Sequence, residues 1–394
     1  MKILYVYGRT KQRDIVRTLV KLGYEVEEYF GAQSDVWAVQ EEIAQIVDYI
    51  RRNAITHLLS IHLLPNLSVA AYQTGIRYIA MLWDAPCLTM TTVFGKLDNV
   101  WVSTFDKLDY ERFKAGGTKN VLYQPLTVDR DSLLSWDVKR KLSGRFLQEI
   151  SFVGRLYEDN LYDRQVKYIP DNMRQYCTSI MEEAAFKWDG VNRVYGTVSK
   201  EILEYIRWAS PDFALHNQYE VEDERFFEMR YLVRKLANIE RVCCLNLLAQ
   251  QFGVVLYTDS SIDSGVIRPE VKIMPPVDPG EAVSIIYAGS KINLNISLKG
   301  IERGTPLRVF EILGAGGFLL SSYCPETAEL FEEDKEIVMF RTPEELLEKT
   351  EYFLTHDDER EAVAAAGQEK VLRCYTHEKK LKELFLWVER EDGH

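Results

Sequence analysis

The first 125 residues alternate short apolar runs with segments whose apolar residues recur every three or four positions. The short runs predict β-strands, and the periodic segments KQRDIVRTLVKLG (11–23) and EEIAQIVDYIRRN (41–53) predict amphipathic helices. The predicted strands are KILYVY (2–7), EVEEYF (25–30), THLLSIH (56–62), RYIAMLWD (77–84), NVWVS (99–103) and KNVLY (119–123). Strands that alternate with helices favour a parallel sheet covered by helices, with ligands at the carboxyl ends of the strands.

A second series of strands begins at EISFVGRLY (149–157) and is interrupted by a long helical stretch over about 162–252. It resumes at VVLYT (254–258), INLNIS (292–297), FLLSS (318–322) and EIVMF (336–340), and the rest of the chain is helical in pattern. The pattern predicts an α/β protein with two Rossmann-like, doubly wound domains that face a cleft. We expect domains at 1–135 and 136–375, the second with the insertion, and a helix at 376–394 that packs back on the first domain.

Composition narrows the class of protein. The chain has 394 residues, 46% of them hydrophobic and 27% charged, which is typical of a globular protein. The net charge of −12 argues against a nucleic-acid partner, since phosphate binding needs a basic face. No apolar run is long enough to predict a transmembrane segment. The six cysteines show no metal-ligand spacing, so we expect reduced thiols and a cytoplasmic location.

Polar residues at the ends of the first series of strands are candidates for chemistry. Asp84 follows a buried strand, where a carboxylate could act as a general base for an acceptor hydroxyl; an N-cap or loop-stabilising role is the alternative. His62 ends the preceding strand and is a second catalytic candidate, or a histidine with a structural role. Gly8 and Arg9 follow the first strand without a GxGxxG motif, so they line the cleft or form an ordinary turn.

Metal-ligand patterns are scarce. VDRDS (128–132) contains a DxD pair, but it lies in the polar segment between the two series and not after a buried strand. We therefore interpret it as structural, and expect neither a metal site nor a bound cofactor.

The second series begins with the sequence SFVGRLYED, in which Gly154 permits close backbone approach and Arg155 follows it. A guanidinium suits a diphosphate because its fork is planar and always charged. The alternatives for Arg155 are a diphosphate ligand in the cleft and a surface salt bridge.

A helix is predicted to start within GTPLRVFEIL. Thr305 has the residue type of an N-cap, Pro306 suits the first helical position, and Arg308 then falls at the third. A cation there is unfavourable by about 0.3–1 kcal/mol, unless an anion binds to the free amides and the arginine together. Glu311 lies one turn further and could accept both hydroxyls of a ribose, although a surface pair of Arg308 with Glu311 or Glu302 is the alternative.

The glycine cluster GAGG ends this predicted helix. Gly314 is the expected residue just past the helix, and the following glycines form the turn into FLLSS. This end faces away from the ligand edge of the sheet, so we interpret the cluster as structural.

Together these segments resemble the bacterial spore-maturation CgeB-like glycosyltransferases. The resemblance covers HLLSIHLLPNLS, GIRYIAMLWDAP, VSTFDKLDYERFKAGGTKNVLYQPLTVD, ISFVGRLYEDN and, most specifically, KINLNISLKGIERGTPLRVFEILGAGGFLLSSYCPETAELF. It implies a GT-B fold and metal-independent transfer of a sugar from a nucleotide-diphosphate-sugar to a protein or surface-glycan acceptor. In similar GT-B enzymes two glutamates eight residues apart frame the donor. Glu311 matches the second, whereas Arg303 stands at the first, beside Glu302.

The sequence thus predicts a glycosyltransferase whose second domain binds the nucleotide-sugar donor and whose first domain, near Gly8, His62 and Asp84, receives the acceptor. The predicted donor ligands are Arg155, Lys291, Asn293, Thr305, Arg308 and Glu311. A non-catalytic nucleotide-sugar or partner-binding protein and a GT-B sugar epimerase are the alternatives, and the helical insertion is a candidate surface for a homo-oligomer.

Overall fold

The computed structural model describes residues 1–8, 12–31, 38–134, 146–165, 168–209, 223–261, 265–278 and 280–390. They form two lobes, each built on a six-stranded sheet whose paired strands are all parallel. We call residues 1–134 lobe 1 and residues 146–375 lobe 2. The predicted fold class is confirmed, whereas Arg9 and the predicted junction at 135/136 lie outside the described residues.

Lobe 1 has the strand order β2-β1-β3-β4-β5-β6. Its strands are β1 (Lys2–Val6), β2 (Glu25–Tyr29), β3 (His57–Ile61), β4 (Arg77–Met81), β5 (Val100–Thr104) and β6 (Asn120–Tyr123). Its helices are α1 (Arg13–Lys21), α2 (Gln40–Arg52), α3 (Pro65–Thr74), α4 (Lys107–Ala115) and α5 (Arg130–Leu134), with short 3₁₀ helices at Leu88–Thr91 and Val93–Lys96. Apart from the edge strand β2, which has three glutamates, the strands are mostly apolar because helices cover both faces of the sheet.

Lobe 2 has the strand order β12-β11-β10-β7-β8-β9. Its strands are β7 (Gln148–Val153), β8 (Val254–Tyr257), β9 (Lys272–Met274), β10 (Ser290–Asn295), β11 (Leu319–Ser322) and β12 (Val338–Phe340). The sequence did not predict β9, since this edge strand has only three residues and two of them are exposed.

The helices of lobe 2 fall into an insertion and a sheet-covering set. The insertion comprises α6 (Leu161–Gln165), α7 (Asp171–Ala184), α8 (Lys200–Ala209), α9 (Asp223–Phe227), a π-helical segment (Glu228–Val233) and α10 (Arg234–Leu248). The others are α11 (Glu281–Gly289), α12 (Leu307–Gly314), α13 (Pro325–Leu330), α14 (Pro343–Thr355) and α15 (Asp357–Cys374). Most of the insertion shares its own apolar core, while α10 packs on the sheet.

The last helix, α16 (His377–Arg390), returns to lobe 1. Leu381 and Phe385 are buried in the same apolar cluster as Ile3 and Tyr5 of β1. Two backbone hydrogen bonds of Val128 fix the crossing: its amide donates to the Tyr375 carbonyl at 3.1 Å, and its carbonyl accepts from the His377 amide at 2.9 Å. No helix among the described residues is long and apolar enough to span a membrane.

Candidate functional site between the lobes

The α12 helix begins one residue later than predicted. Pro306, with φ −61° and ψ 147°, is the N-cap, and Leu307 is the first helical residue. The prediction that Thr305 is the N-cap is wrong, because its buried hydroxyl bonds to the Thr327 hydroxyl at 3.1 Å, and the N-cap residue Pro306 makes no side-chain hydrogen bond to the helix. Arg308 is therefore the second helical residue and not the third, which keeps it in the first turn beside the free amides.

The GAGG cluster closes the helix, as predicted. The Gly317 amide donates to the Ile312 carbonyl at 3.0 Å, and the Gly316 amide donates to the Leu313 carbonyl at 2.9 Å. This pair of bonds is a Schellman motif, with Gly316 in the left-handed conformation at φ 76°. The expectation that Gly314 takes that position is wrong, since it is still helical and buried.

Arg308 projects from α12 towards the carboxyl end of β7. A Cβ atom on Gly154, whose φ is 150°, would lie 2.6 Å from Arg308 Nη2, so the close approach requires glycine. The guanidinium carbon lies 5.5 Å from the centroid of the Phe152 ring, and the group is close to the Tyr287 hydroxyl. Within the described parts of the chain Arg308 forms no ion pair with a carboxylate, so its charge is available to an anion.

A second guanidinium lies on the same aromatic ring. Arg241 of α10 is 4% exposed, and its guanidinium carbon lies 5.4 Å from the Phe152 centroid. It donates to the Arg155 carbonyl at 2.5 Å and to the Ile296 carbonyl at 2.9 Å. Burial lowers the pKa of Arg241 to about 10, and the charge of Arg308 contributes to this decrease. Two guanidiniums converging on one ring form a site suited to an anion.

Sequence reasoning missed Arg241, although a signal was present. Arg241 lies on the same face of α10 as the buried residues Ala237, Cys244 and Leu248. A charged residue at helical spacing within an apolar face is rare unless its charge is used or paired.

Glu311 faces a cavity of about 470 Å³ between the lobes. The residues that line it come from helices and loops of both lobes and from α16: Gln12, Asp14, Arg17, Trp83, Thr127, Val128, Asp129, Ser132, Leu133, Gly280, Val283, Ser284, Leu307, Glu311 and His377. No hydrogen bond to the Glu311 carboxylate is formed by the described residues. Burial raises its pKa above the ordinary value, and the nearby Arg308 partly offsets this. The carboxylate is thus a free acceptor on the wall of the cavity.

The loop before α12 is fixed by lobe 1. Asp106 accepts a hydrogen bond from the Arg303 amide at 3.0 Å, and the Lys107 amide donates to the Arg303 carbonyl at 2.8 Å. Glu302 accepts from Arg112 at 2.8 Å and from Arg225 of the insertion at 2.7 Å. Glu302 is therefore committed to these two arginines and does not pair with Arg308.

Arg155 is exposed and forms a bidentate pair with Asp259, with Nη2 at 2.7 Å from Oδ2. This pairing raises the pKa of the guanidinium further above its usual value. The group lies at the carboxyl ends of β7 and β8, next to Gly154, but its fork is occupied by the Asp259 carboxylate. An anion at Arg155 would have to share or displace this partner.

Lys291 is the second residue of β10 and Asn293 is the fourth of its six. Lys291 Nζ is 3.7 Å from the Asp357 carboxylate, at the start of α15. The Asn293 side chain is buried, donates to the Tyr287 and Phe318 carbonyls, and accepts from the Ser151 hydroxyl at 2.9 Å. The structure does not bring these two residues to the carboxyl edge of the sheet, because their contacts are all at its opposite end or within it.

His62 and Asp84 come together at the carboxyl edge of lobe 1. His62 Nε2 is 3.6 Å from Asp84 Oδ2, and the Asp84 side chain is 86% exposed. His62 has a left-handed backbone, with φ 65°, at the end of β3, and Gly8 lies beside the neighbouring Ile61 carbonyl. The strained backbone turns the imidazole towards Asp84, so the pair presents an acceptor and a ring nitrogen to solvent.

The DxD pair has structural contacts. Asp129 accepts from the Asp131 and Ser132 amides at 3.2 and 3.1 Å and pairs with Arg17, while Asp131 pairs with Lys21 at 2.8 Å. Both carboxylates therefore join α5 to α1. Over the described residues no group of three or more His, Cys, Asp or Glu side chains could hold a metal ion.

Comparison with solved structures identifies the architecture. Sucrose-phosphate synthase from Thermosynechococcus elongatus superposes on this chain with a TM-score of 0.58 at 9% identity. The match covers 99% of this chain and 100% of the synthase chain. A glycosyltransferase from Rickettsia africae superposes with a TM-score of 0.56 at 10% identity, and the match covers 98% of each chain. The fold is GT-B. Anabaena HepE, solved in complex with UDP and glucose, shares this GT-B fold with a TM-score of 0.52 at 12% identity, over 98% of this chain and 99% of that one.

Residues 247–385 match a family described as "Glycosyl transferase-like". The match covers about a third of the chain and includes β8 to β12 and the whole of α12. No curated protein matches the chain. Arg308 and Glu311 therefore both lie inside the glycosyltransferase-like region.

Proposed function

We propose that this protein is a glycosyltransferase that transfers a sugar from a nucleotide-diphosphate-sugar to a protein or surface-glycan acceptor. The observation that carries the proposal is the convergence of Arg308 and Arg241 on Phe152, beside Gly154 and the first turn of α12. A diphosphate supplies the negative charge that this arrangement lacks. The free amides of α12 add hydrogen-bond donors for the same anion.

Glu311 gives the proposed donor site a second contact. Its carboxylate faces the cavity one turn after Arg308 and has unused lone pairs among the described residues. A ribose diol next to the diphosphate would donate to both oxygens. The cavity volume of about 470 Å³ is within the range that small-molecule sites occupy.

The acceptor side is assigned to the edge of lobe 1 that carries His62 and Asp84. Their exposed pair at 3.6 Å can contact an acceptor hydroxyl. A general-base role for Asp84 stays a prediction. The Asp84→Asn variant is expected to bind the donor but to lose sugar transfer. Normal turnover in this variant would show that Asp84 is not a catalytic residue.

The donor site is tested by calorimetry with UDP-glucose, UDP-N-acetylglucosamine and GDP-mannose. Arg308→Ala should weaken binding of the preferred donor about tenfold or more, because one charge-assisted contact to phosphate is lost. Arg308→Lys should bind with intermediate affinity, since it keeps the charge but not the planar fork. Arg52→Ala is the matched control, because that guanidinium is exposed and pairs with Asp48 away from the cavity.

Unchanged affinity in Arg308→Ala would refute the phosphate assignment. Release of nucleoside diphosphate separates the alternative functions: a binding protein releases none, and an epimerase interconverts the sugars without an acceptor. Transfer in the presence of EDTA checks that no metal is needed.

Membership of the CgeB-like group, a cytoplasmic location and oligomerisation through the insertion belong to the same proposal. Membership of the CgeB-like group is supported by the sequence motif that runs from β10 to α13 and contains Arg308 and Glu311. Light scattering of the purified protein tests whether it forms an oligomer.

A further inference from the structure

One face of α10 meets the loop that follows β7. Arg234, Asn238 and Arg241 are spaced by four and three positions, so they form a row along the helix. Asn238 and Arg241 both donate to backbone carbonyls of the loop, at 3.0 and 2.5 Å. Arg234 meets the next loop residue, with its guanidinium carbon 5.9 Å from the centroid of the Tyr157 ring. The insertion therefore lines the carboxyl edge of lobe 2 at this loop.

Arg234 differs from the other two members of the row because it has no acceptor. It is half-buried, and within the described ranges it forms no hydrogen bond and no ion pair with a carboxylate. The adjacent Lys235, in contrast, pairs with Asp163 at 2.8 Å. Contact with the face of the Tyr157 ring leaves the N–H groups of the guanidinium unused. Arg234 can therefore bind an anion without giving up a partner.

Tyr157 holds Arg234 next to the proposed diphosphate site. Its backbone is left-handed, with φ 58°, which costs about 1–3 kcal/mol for a residue with a side chain and is typical of ligand sites. The centroid of its ring also lies 4.9 Å from the guanidinium carbon of Arg241. One ring thus contacts two guanidiniums, as the Phe152 ring does for Arg241 and Arg308.

These contacts give the charged side chains an order along one wall. Arg308 is close enough for its charge to act on both Glu311 and Arg241. Seven residues of helix place Arg234 about 10 Å beyond Arg241. In the proposed donor site the ribose lies at Glu311, and the diphosphate lies at Arg308 and Arg241. The sugar is bonded to the other end of the diphosphate, so it extends towards Arg234.

We propose that Arg234 binds a carboxylate on the donor sugar, so that the preferred donor is a nucleotide-diphosphate uronate. This inference rests on the proposed function and names the class of its donor. The carboxylate of a hexuronate is carried by the same ring whose anomeric carbon is bonded to the diphosphate. A guanidinium pairs with a carboxylate through two charge-assisted hydrogen bonds. A neutral hexose has a hydroxymethyl group at this position and leaves the charge of Arg234 unpaired.

Two pairs of donors test the inference by calorimetry on the full chain: UDP-glucose with UDP-glucuronate, and GDP-mannose with GDP-mannuronate. The members of a pair differ only in a hydroxymethyl group or a carboxylate on the sugar. In the pair whose nucleotide the protein prefers, the wild type should bind the acidic member about tenfold or more tightly. Arg234→Ala should reduce this ratio of affinities to about two or less. Arg234→Lys should give an intermediate ratio, since it keeps the charge but not the planar fork.

Lys235→Ala is the matched control. It removes the same charge from the neighbouring position, where the ammonium is already paired with Asp163, so the ratio of the wild type should be kept. Thermal unfolding shows whether each variant is folded. Arg234→Gln, which keeps most of the aliphatic stem, repeats the measurement if the alanine variant does not fold, and it should reduce the ratio in the same way.

Equal binding of both members of the pair by the wild type would overturn the inference, as would a ratio that is unchanged in Arg234→Ala. The first result would assign any additional negative charge to the acceptor, and the second would give Arg234 a structural role. Both leave the transferase proposal intact. A wild type that binds none of the four donors, or releases no nucleoside diphosphate, would instead refute the proposed function and the inference with it.

Discussion

Glu326 is a buried acid at the contact between the lobes, and its replacement by glutamine makes a quantitative prediction. It lies in α13, is 0% exposed, and accepts a hydrogen bond from the Tyr123 hydroxyl of β6. Its second oxygen, Oε2, is buried and has no hydrogen-bond partner among the described residues. Burial raises the pKa of Glu326 to about 8, although the Tyr123 bond lowers it in part.

A folded pKa above the unfolded one means that the folded protein holds the proton more tightly. The stability from this group is fully present below the ordinary pKa of 4.5 and is lost as pH rises to about 8. The difference between these values corresponds to about 4–5 kcal/mol of unfolding free energy at pH 8 and above, and about 3 kcal/mol at pH 7. Glu326→Gln removes the ionisation while keeping the shape.

The assay is urea unfolding followed by tryptophan fluorescence at pH 5, 7 and 8.5. Glu326→Gln should become progressively more stable than the wild type over this range. Glu329→Gln is the control from the same helix: its exposed carboxylate pairs with Lys107 and Arg303, which hold its pKa below the ordinary value. It should show no gain with rising pH. Parallel pH dependences for Glu326→Gln and the wild type would refute the reasoning.

Two glycine substitutions separate binding from packing. Gly154→Ala would place a Cβ 2.6 Å from Arg308 Nη2 in a left-handed backbone, so thermal unfolding should show a loss of about 1–3 kcal/mol and calorimetry a donor affinity about tenfold weaker. Gly317→Ala would place a Cβ 2.5 Å from the Tyr287 carbonyl oxygen, so unfolding should be easier by about 1–3 kcal/mol, with donor affinity unchanged in the protein that remains folded. Equal effects of both changes on affinity would contradict the assignment of Gly154 to the site.

The strands and the start of the site helix could be predicted to the extent that the local pattern of apolar and charged residues determines them. Most strands of both sheets are apolar enough to recognise because helices cover them, and a cation in the first turn of α12 marked Arg308. The helix start was misplaced because Thr305 bonds to Thr327, which is 22 residues away. Such tertiary competition for a capping side chain has no local signal.

The other site residues depend on contacts between distant parts of the chain. Arg241 reaches Phe152 only because α10 packs on the sheet after the insertion, and the wall of the cavity joins His377 to Asp14, which is 363 positions away. A single sequence gives the residue types but not these distances. Lys291 and Asn293 show the converse. The strand was predicted, but Lys291 lies near its amino-terminal end, away from the carboxyl edge, and Asn293 is buried within the sheet.

The return of α16 to lobe 1 has a consequence during synthesis. Leu384 and Phe385 of α16 complete a cluster that begins at Ile3, so the apolar surface of β1 and α1 stays uncovered until α16 leaves the ribosome. Lobe 1 is translated first but is finished last. Throughout the synthesis of lobe 2 this apolar surface is therefore open to non-native contacts, which makes the order of synthesis opposite to the order in which lobe 1 can be completed.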